Sequence, residues 1–163
     1  MTTAIPITMD PDTDLLFERE VDVPPELVWA AWTEPEHLVK WFAPAPYTTV
    51  DCEIDLRPGG IFRTVMRSPE GEESGGAGCY LEVIERERLV WTSALGPGFR
   101  PNDVGDEFAF TAVISMERTA TGTRYSALAM HATAADSKRH ADMGFHDGWG
   151  AALDQLVALA KTM

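Results

Sequence analysis

The sequence predicts an α+β domain in which a curved antiparallel sheet wraps around a long C-terminal helix, with an apolar cavity between them. Three observations carry this. At about 100° per residue, residues 136–163 put Phe145, Trp149, Ala152, Leu153, Leu156, Leu159 and Met163 on one stripe, with Asp147, Asp154 and Lys161 opposite, as in an amphipathic helix. Most of the remaining chain alternates apolar and polar residues with the two-residue period of strands, broken by short turns of the hairpin kind. Gly144, Gly148 and Gly150 fall in the first half of the helix, where each costs about 1 kcal/mol relative to alanine, so close approach or empty space is expected there. Hairpins with a helix segregated to one face make α+β, and a sheet of this size curls, leaving a hollow under the helix.

Each element follows from local chemistry. Residues 1–13 are polar, carry two prolines and show no period, so they are expected to form a loose arm ahead of a single domain spanning 14–163. Leu15, Phe17, Arg19, Val21 and Val23 share one face of a first strand that ends at Pro24. Pro24, Pro25 and Glu26 suit a first helical turn, and a helix through Leu27, Val28, Ala31 and Trp32 follows. Thr33 and Glu36 have the capping-box spacing for a second short helix, which Pro44 and Pro46 stop. Val50, Cys52, Ile54 and Leu56 alternate with acids and Arg57, predicting a strand with one dry face. Pro58, Gly59 and Gly60 turn it into a partner over 61–66. Residues 68–78 read as a polar hairpin tip, and 79–84, apolar on both faces, as a central strand. A turn at 85–88 leads to a strand over 89–92. The Gly/Pro-rich stretch 94–106 then has the length of a binding loop or lid, with a plain connector as the alternative. Phe108, Phe110, Ala112, Ile114 and Met116 alternate, and 125–131 forms the last strand before the helix.

Composition narrows the function. A net charge of -13 repels a phosphate backbone, and the arginines are dispersed among acids, which argues against nucleic acid. The N-terminal stretch lacks the basic and apolar regions of a secretion signal, and no apolar run approaches the roughly 18 residues of a membrane span; a cytoplasmic location is expected. Cys52 and Cys79 stand 27 positions apart and read as small buried residues. No histidine or cysteine spacing matches a metal site, and His140 and His146, read as six apart on one helix, point about 120° apart. The glycine-rich 97–105 does not open a helix after a strand, so it is no phosphate cradle, and no serine sits in a nucleophile elbow. No cofactor is expected.

Aromatic residues are the richest signal. Trp41, Phe62, Tyr80, Trp91, Phe110, Phe145 and Trp149 are the candidates for a ligand-binding wall, Phe145 and Trp149 most of all because they lie beside the helix glycines; ordinary core is the alternative for each. His131, at the end of the last strand, is a candidate for the same wall and for a proton-moving role, with a structural histidine as its alternative. Glu82 is a second, weak catalytic candidate. Arg57, Glu53, Arg63 and Glu82 could form an ion-paired cavity mouth, or merely a solvated hairpin.

The runs PPELVWAAWTEPEHLVKWF, DLRPGGIFR followed by SPEGEE, GCYLEVIERERLVWT and FHDGWGAALDQLVAL resemble, in order over about residues 14–160, the SRPBCC (START-like) superfamily. They are most similar to the branch named for the C-terminal domain of the activator of heat shock protein 90 ATPase. The resemblance implies the helix-grip fold: a seven-stranded antiparallel sheet gripping the C-terminal helix around an apolar cavity. Its members include lipid and sterol carriers, polyketide cyclases and stress-response proteins, so the fold admits several functions. Binding of a small hydrophobic or aromatic ligand is the leading expectation, because the aromatic signal is abundant. A cyclase- or hydrolase-like enzyme using the same cavity is the alternative, and a co-chaperone-like interaction through the acidic surface a third. A homodimer and a chaperone are the protein partners these readings admit.

Overall fold

A computed structural model describes residues 6–163. Along the chain run β1 (Asp14–Val21), α1 (Pro25–Thr33), α2 (Pro35–Leu38), β2 (Thr48–Ile54), β3 (Ile61–Arg67), β4 (Glu73–Ile84) and β5 (Arg88–Thr92). Two short strands follow, β6 (Leu95–Gly96) and β7 (Arg100–Pro101), and then β8 (Phe110–Arg118), β9 (Thr123–His131), α3 (Ala134–Asp142) and α4 (Phe145–Ala160). The seven longer strands form one antiparallel sheet in the order β1-β9-β8-β5-β4-β3-β2. This is the expected α+β, helix-grip architecture. Because β1 and β2 are its two edges, the intervening α1 and α2 must travel from one edge to the other, and they wall the hollow that α4 covers.

The two faces of the sheet bury different things. On the concave face Leu89, Trp91, Ala112, Ile114, Tyr125, Ala127 and Ala129 pack with Val28 and Trp32 of α1 and with Leu153 and Leu156 of α4. Small residues on β8 and β9 leave room for the helices, while large rings collect toward β3, β4 and β5. The convex face carries a smaller cluster of Val90, Val113 and Leu128, covered in part by Ile7. The N-terminal arm lies outside the described residues over 1–5; beyond them Ile7 makes that contact, and the Asp14 carboxylate accepts from the Asp10 amide at 2.9 Å.

Several local expectations are corrected. The C-terminal stretch is two helices, because Gly144 adopts φ 92°, a left-handed conformation that ends α3 and that glycine reaches without strain. The other two glycines are explained by space. A Cβ at Gly150 would come within 3.0 Å of the Arg19 guanidinium and 3.6 Å of the Phe17 ring, so glycine lets α4 settle onto β1; at Gly148 only Pro44 lies near, at 3.9 Å. Thr33 does not cap α2: it is the last residue of α1, and its hydroxyl donates to the Trp29 carbonyl at 2.7 Å, leaving Glu34 as an N-cap without a side-chain bond. The presumed hairpin tip is strand from Glu73 onward, and glycines are needed there, since a Cβ at Gly75 would meet the Thr64 carbonyl at 2.2 Å and one at Gly78 the Thr92 carbonyl at 2.5 Å. A bulge between Thr49 and Asp51 breaks the alternation of β2, so Val50 is exposed and Thr49 buried. Residues 94–106 are not structureless: β6 and β7 pair, and the Asn102 amide donates to the carbonyls of Ala77 (2.9 Å) and Ser93 (3.0 Å).

Candidate ligand cavity and its histidine pair

Between α4, the α1–α2 segment and the β3–β4–β5 end of the sheet lies a cavity of about 840 Å³. Its floor is aromatic. Trp32, Phe42, Phe62 and Trp91 pack edge-on or tilted with centroids 4.8–6.5 Å apart, the geometry that ring quadrupoles favour. The Trp32 indole donates to the Tyr125 hydroxyl (3.2 Å) and the Trp41 indole to the Ala31 carbonyl (2.9 Å), so both rings are oriented by hydrogen bonds as well as packing. α4 contributes Phe145, Trp149 and Ala152, with Gly148 adding empty space. Gln155, one turn further along, holds the opposite wall: its amide donates to the carbonyls of Trp41 (3.0 Å) and Ala43 (2.7 Å) and accepts from the Ala45 amide (2.9 Å). The rim is exposed at Gly76, Asp103, Glu107 and Met143.

At the end nearest α3 the wall is a buried histidine pair. Thr133 caps α3 by accepting from the Asp136 amide at 3.1 Å, and the helix then turns Ser137 and His140 inward. Nε2 of His131 lies 2.8 Å from Nδ1 of His140, and Nδ1 of His131 lies 2.8 Å from the Thr13 carbonyl oxygen. A carbonyl only accepts, so Nδ1 of His131 carries the proton. In the neutral pair Nε2 of His131 is then the acceptor, and His140 donates from Nδ1. This leaves the His140 Nε2 lone pair without another partner among the described residues. Phe108, Phe110 and Phe145 surround the His140 ring with centroids at 5.0, 4.7 and 5.0 Å. Burial, and secondarily the neighbouring His131, push the His140 imidazole down to about 4, so it stays neutral at physiological pH.

The sequence model of the family described as "Activator of Hsp90 ATPase homolog 1-like protein" matches residues 22–161. The chain belongs to this family. Among solved structures, a Nitrosomonas europaea protein is 49% identical with a TM-score of 0.91, over 94% of this chain and 97% of that one. A Mycobacterium smegmatis protein is 29% identical (TM-score 0.74, 95% of each chain), and one from Chromobacterium violaceum 26% (TM-score 0.73, 91% of this chain and 96% of that one). No curated protein matches. The family is of the SRPBCC type, and the helix-grip core seen here agrees with it.

Of the aromatic candidates, Trp41, Phe62, Trp91, Phe110, Phe145 and Trp149 line the cavity. Tyr80 stands behind Phe62, with ring centroids 5.4 Å apart, and burial raises its phenol well above the ordinary value. His131 likewise stands behind the wall and reaches the cavity only through His140. Glu82 is elsewhere: it pairs in register with Val90 on the convex face and forms a 2.6 Å ion pair with Arg88. Of the two readings of Arg57, Glu53, Arg63 and Glu82, the arrangement is that of a hairpin surface: Arg57 binds Asp55 (2.8 Å), Arg63 binds Asp51 (2.7 Å) and Glu53 (3.6 Å), and none of these residues lines the cavity. Sequence reasoning missed His140, Phe108 and the three-bond clamp of Gln155. Glu34, Glu36 and His37, exposed or half-buried at α2, place one potential metal-ligating atom each within 4.8 Å of one another. Among the described residues no helix is long and apolar enough to cross a membrane.

Proposed function

We propose that the protein binds a small hydrophobic, ring-bearing molecule in the cavity between the sheet and α4. The observation that carries this reading is an aromatic-floored hollow of about 840 Å³, within the roughly 300–1,000 Å³ of ordinary ligand pockets. The wall's polar groups support it. Thr92 and Ser93 are engaged with the Phe110 backbone and Asn102 with Ala77 and Ser93, so affinity would come from apolar burial at roughly 25 cal/mol per Å². The test is tryptophan fluorescence and thermal melting of the purified protein against fatty acids, sterols, flavonoids and polyketide-like aromatics, with Trp149→Ala as control. A true ligand at 100 times its Kd adds about 2.7 kcal/mol, a rise in Tm of about 5–10 °C, and the control loses it. A flat response across the panel rejects the reading and directs attention to protein partners, beginning with a chaperone pull-down.

A second reading, a cyclase- or hydrolase-like enzyme in the same cavity, is favoured by one observation: the neutral His140 imidazole bordering an apolar chamber, backed by His131. A neutral imidazole in a water-poor chamber can take a proton from a bound acid, and held down at about 4 it is a weak base that suits only an acidic substrate proton. Turnover of a bound panel member that His140→Ala abolishes while binding persists would establish it; binding without turnover leaves a carrier.

A further inference from the structure

The polar atoms still available at the cavity wall point one way. The proton order fixed by the Thr13 carbonyl makes His140 Nε2 an acceptor, on a residue that is 9% exposed and that lines the cavity. The charged residues of the lining are Asp103 and Glu107, both acids, and among the described residues no lysine or arginine lines it. A carboxylate ligand would bring a third negative charge to this lining, inside a chain of net charge -13, and the guanidinium beside it, Arg139 stacked 5.4 Å over Phe108, already donates to the Asp106 carbonyl at 2.7 Å. A donor, by contrast, finds an acceptor flanked by Phe108, Phe110 and Phe145. Among the described residues the buried indole N–H of Trp91, also of this wall, has no partner and seeks an acceptor. A hydroxyl both donates and accepts; an ammonium group only donates.

Resting on the binding function proposed above, we infer that the ligand is an uncharged, ring-bearing alcohol or phenol whose hydroxyl donates to Nε2 of His140. His131 does not touch such a ligand. It is a positioning residue that keeps the His140 lone pair turned into the cavity.

Three probes of one ring system test this by calorimetric titration: 2-naphthol, 2-methoxynaphthalene, which keeps the oxygen but has no donor, and 2-naphthoate, which carries the charge. The wild-type protein should bind 2-naphthol about tenfold more tightly than the methyl ether, the worth of one buried hydrogen bond, and 2-naphthoate more weakly than either. His140→Phe should bind the naphthol and the ether alike. Should that variant misfold, nitrogen NMR of the wild-type imidazoles replaces it: 2-naphthol should move the His140 Nε2 resonance and the ether should leave it in place. Equal affinity for naphthol and ether in the wild type, tighter binding of naphthoate, or an unmoved Nε2 resonance overturns the inference while leaving the cavity a ring-binding site. Failure of all three probes to bind overturns that reading and the inference together.

Discussion

His140 enters the fold as a neutral base, and that has a consequence for stability as a function of pH. Its imidazole is held at about 4 in the folded protein against roughly 6.5 in an unfolded chain. Between those values the unfolded state binds more protons, so the contribution is whole above about pH 6.5 and is lost as pH falls toward 4, about 3 kcal/mol in all and about 2 kcal/mol of it by pH 5. Urea unfolding at pH 7.5 and 5.0 should show this decline, and His140→Gln should reduce the difference; equal slopes in the two proteins would discard the assignment. The carboxylates held below their ordinary values by cationic partners or hydrogen bonds, Asp22 by Lys161, Asp51 by Arg63 and Glu26 chiefly by a backbone hydrogen bond with Arg118 close by, act at lower pH and do not confuse the window. None of this was readable in the chain. His131 and His140 are nine residues apart, and their contact depends on where α3 begins relative to the end of β9.

At the level of elements, the helix glycines separate packing from function. Gly148 sits inside α4, where alanine is favoured by about 1 kcal/mol, and a Cβ there would make only an ordinary 3.9 Å contact with Pro44. Gly148→Ala should raise Tm by about 2–4 °C and weaken ligand binding, because the added methyl enters the cavity; an unchanged affinity would mean the ligand lies away from α4. Gly150→Ala should raise Tm less than Gly148→Ala and leave ligand binding unchanged, since its methyl pushes the Arg19 guanidinium, 3.0 Å away and paired with Asp154, and lies outside the cavity lining. Strands were the legible part of this sequence, because one dry face prints a period of two. Elements bounded by a single backbone choice were not. Residues 136–142 hold little apolar material, so the stripe beginning at Phe145 carried no information on whether the helix continued through Gly144. The bulge in β2 shifted the apparent dry face by one residue, and Glu73–Gly78, polar and glycine-rich, hid a strand whose glycines are required by neighbouring backbone.

Over the whole molecule, 26 acids against 13 bases leave a self-repelling surface despite pairs such as Arg19–Asp154 (2.6 Å) and Lys138–Asp142 (2.7 Å). Screening should therefore stabilise: calorimetric Tm is expected to climb between 10 and about 200 mM sodium chloride, and a fall would mean that the surface ion pairs outweigh the repulsion. The aromatic wall was legible at this scale, since large rings on alternating positions of the inner strands had to meet beneath the helix. Its polar end was not, because it is assembled from the N-terminal segment, β9 and α3 together. The Thr13 carbonyl accepts from both the backbone N–H of His131 (3.2 Å) and its ring Nδ1 (2.8 Å), although 118 residues separate them. The chemistry of the chamber is thus written partly by backbone that precedes the first strand. Trimming the protein to begin at Asp14, a natural choice for anyone shortening it to its regular structure, would remove that carbonyl, free His131 to swap its proton between nitrogens, and let His140 present an N–H where it now presents a lone pair. Such a truncated protein, which also loses Ile7 and the Asp10 amide on Asp14, would melt lower, and its chamber would prefer the opposite kind of ligand.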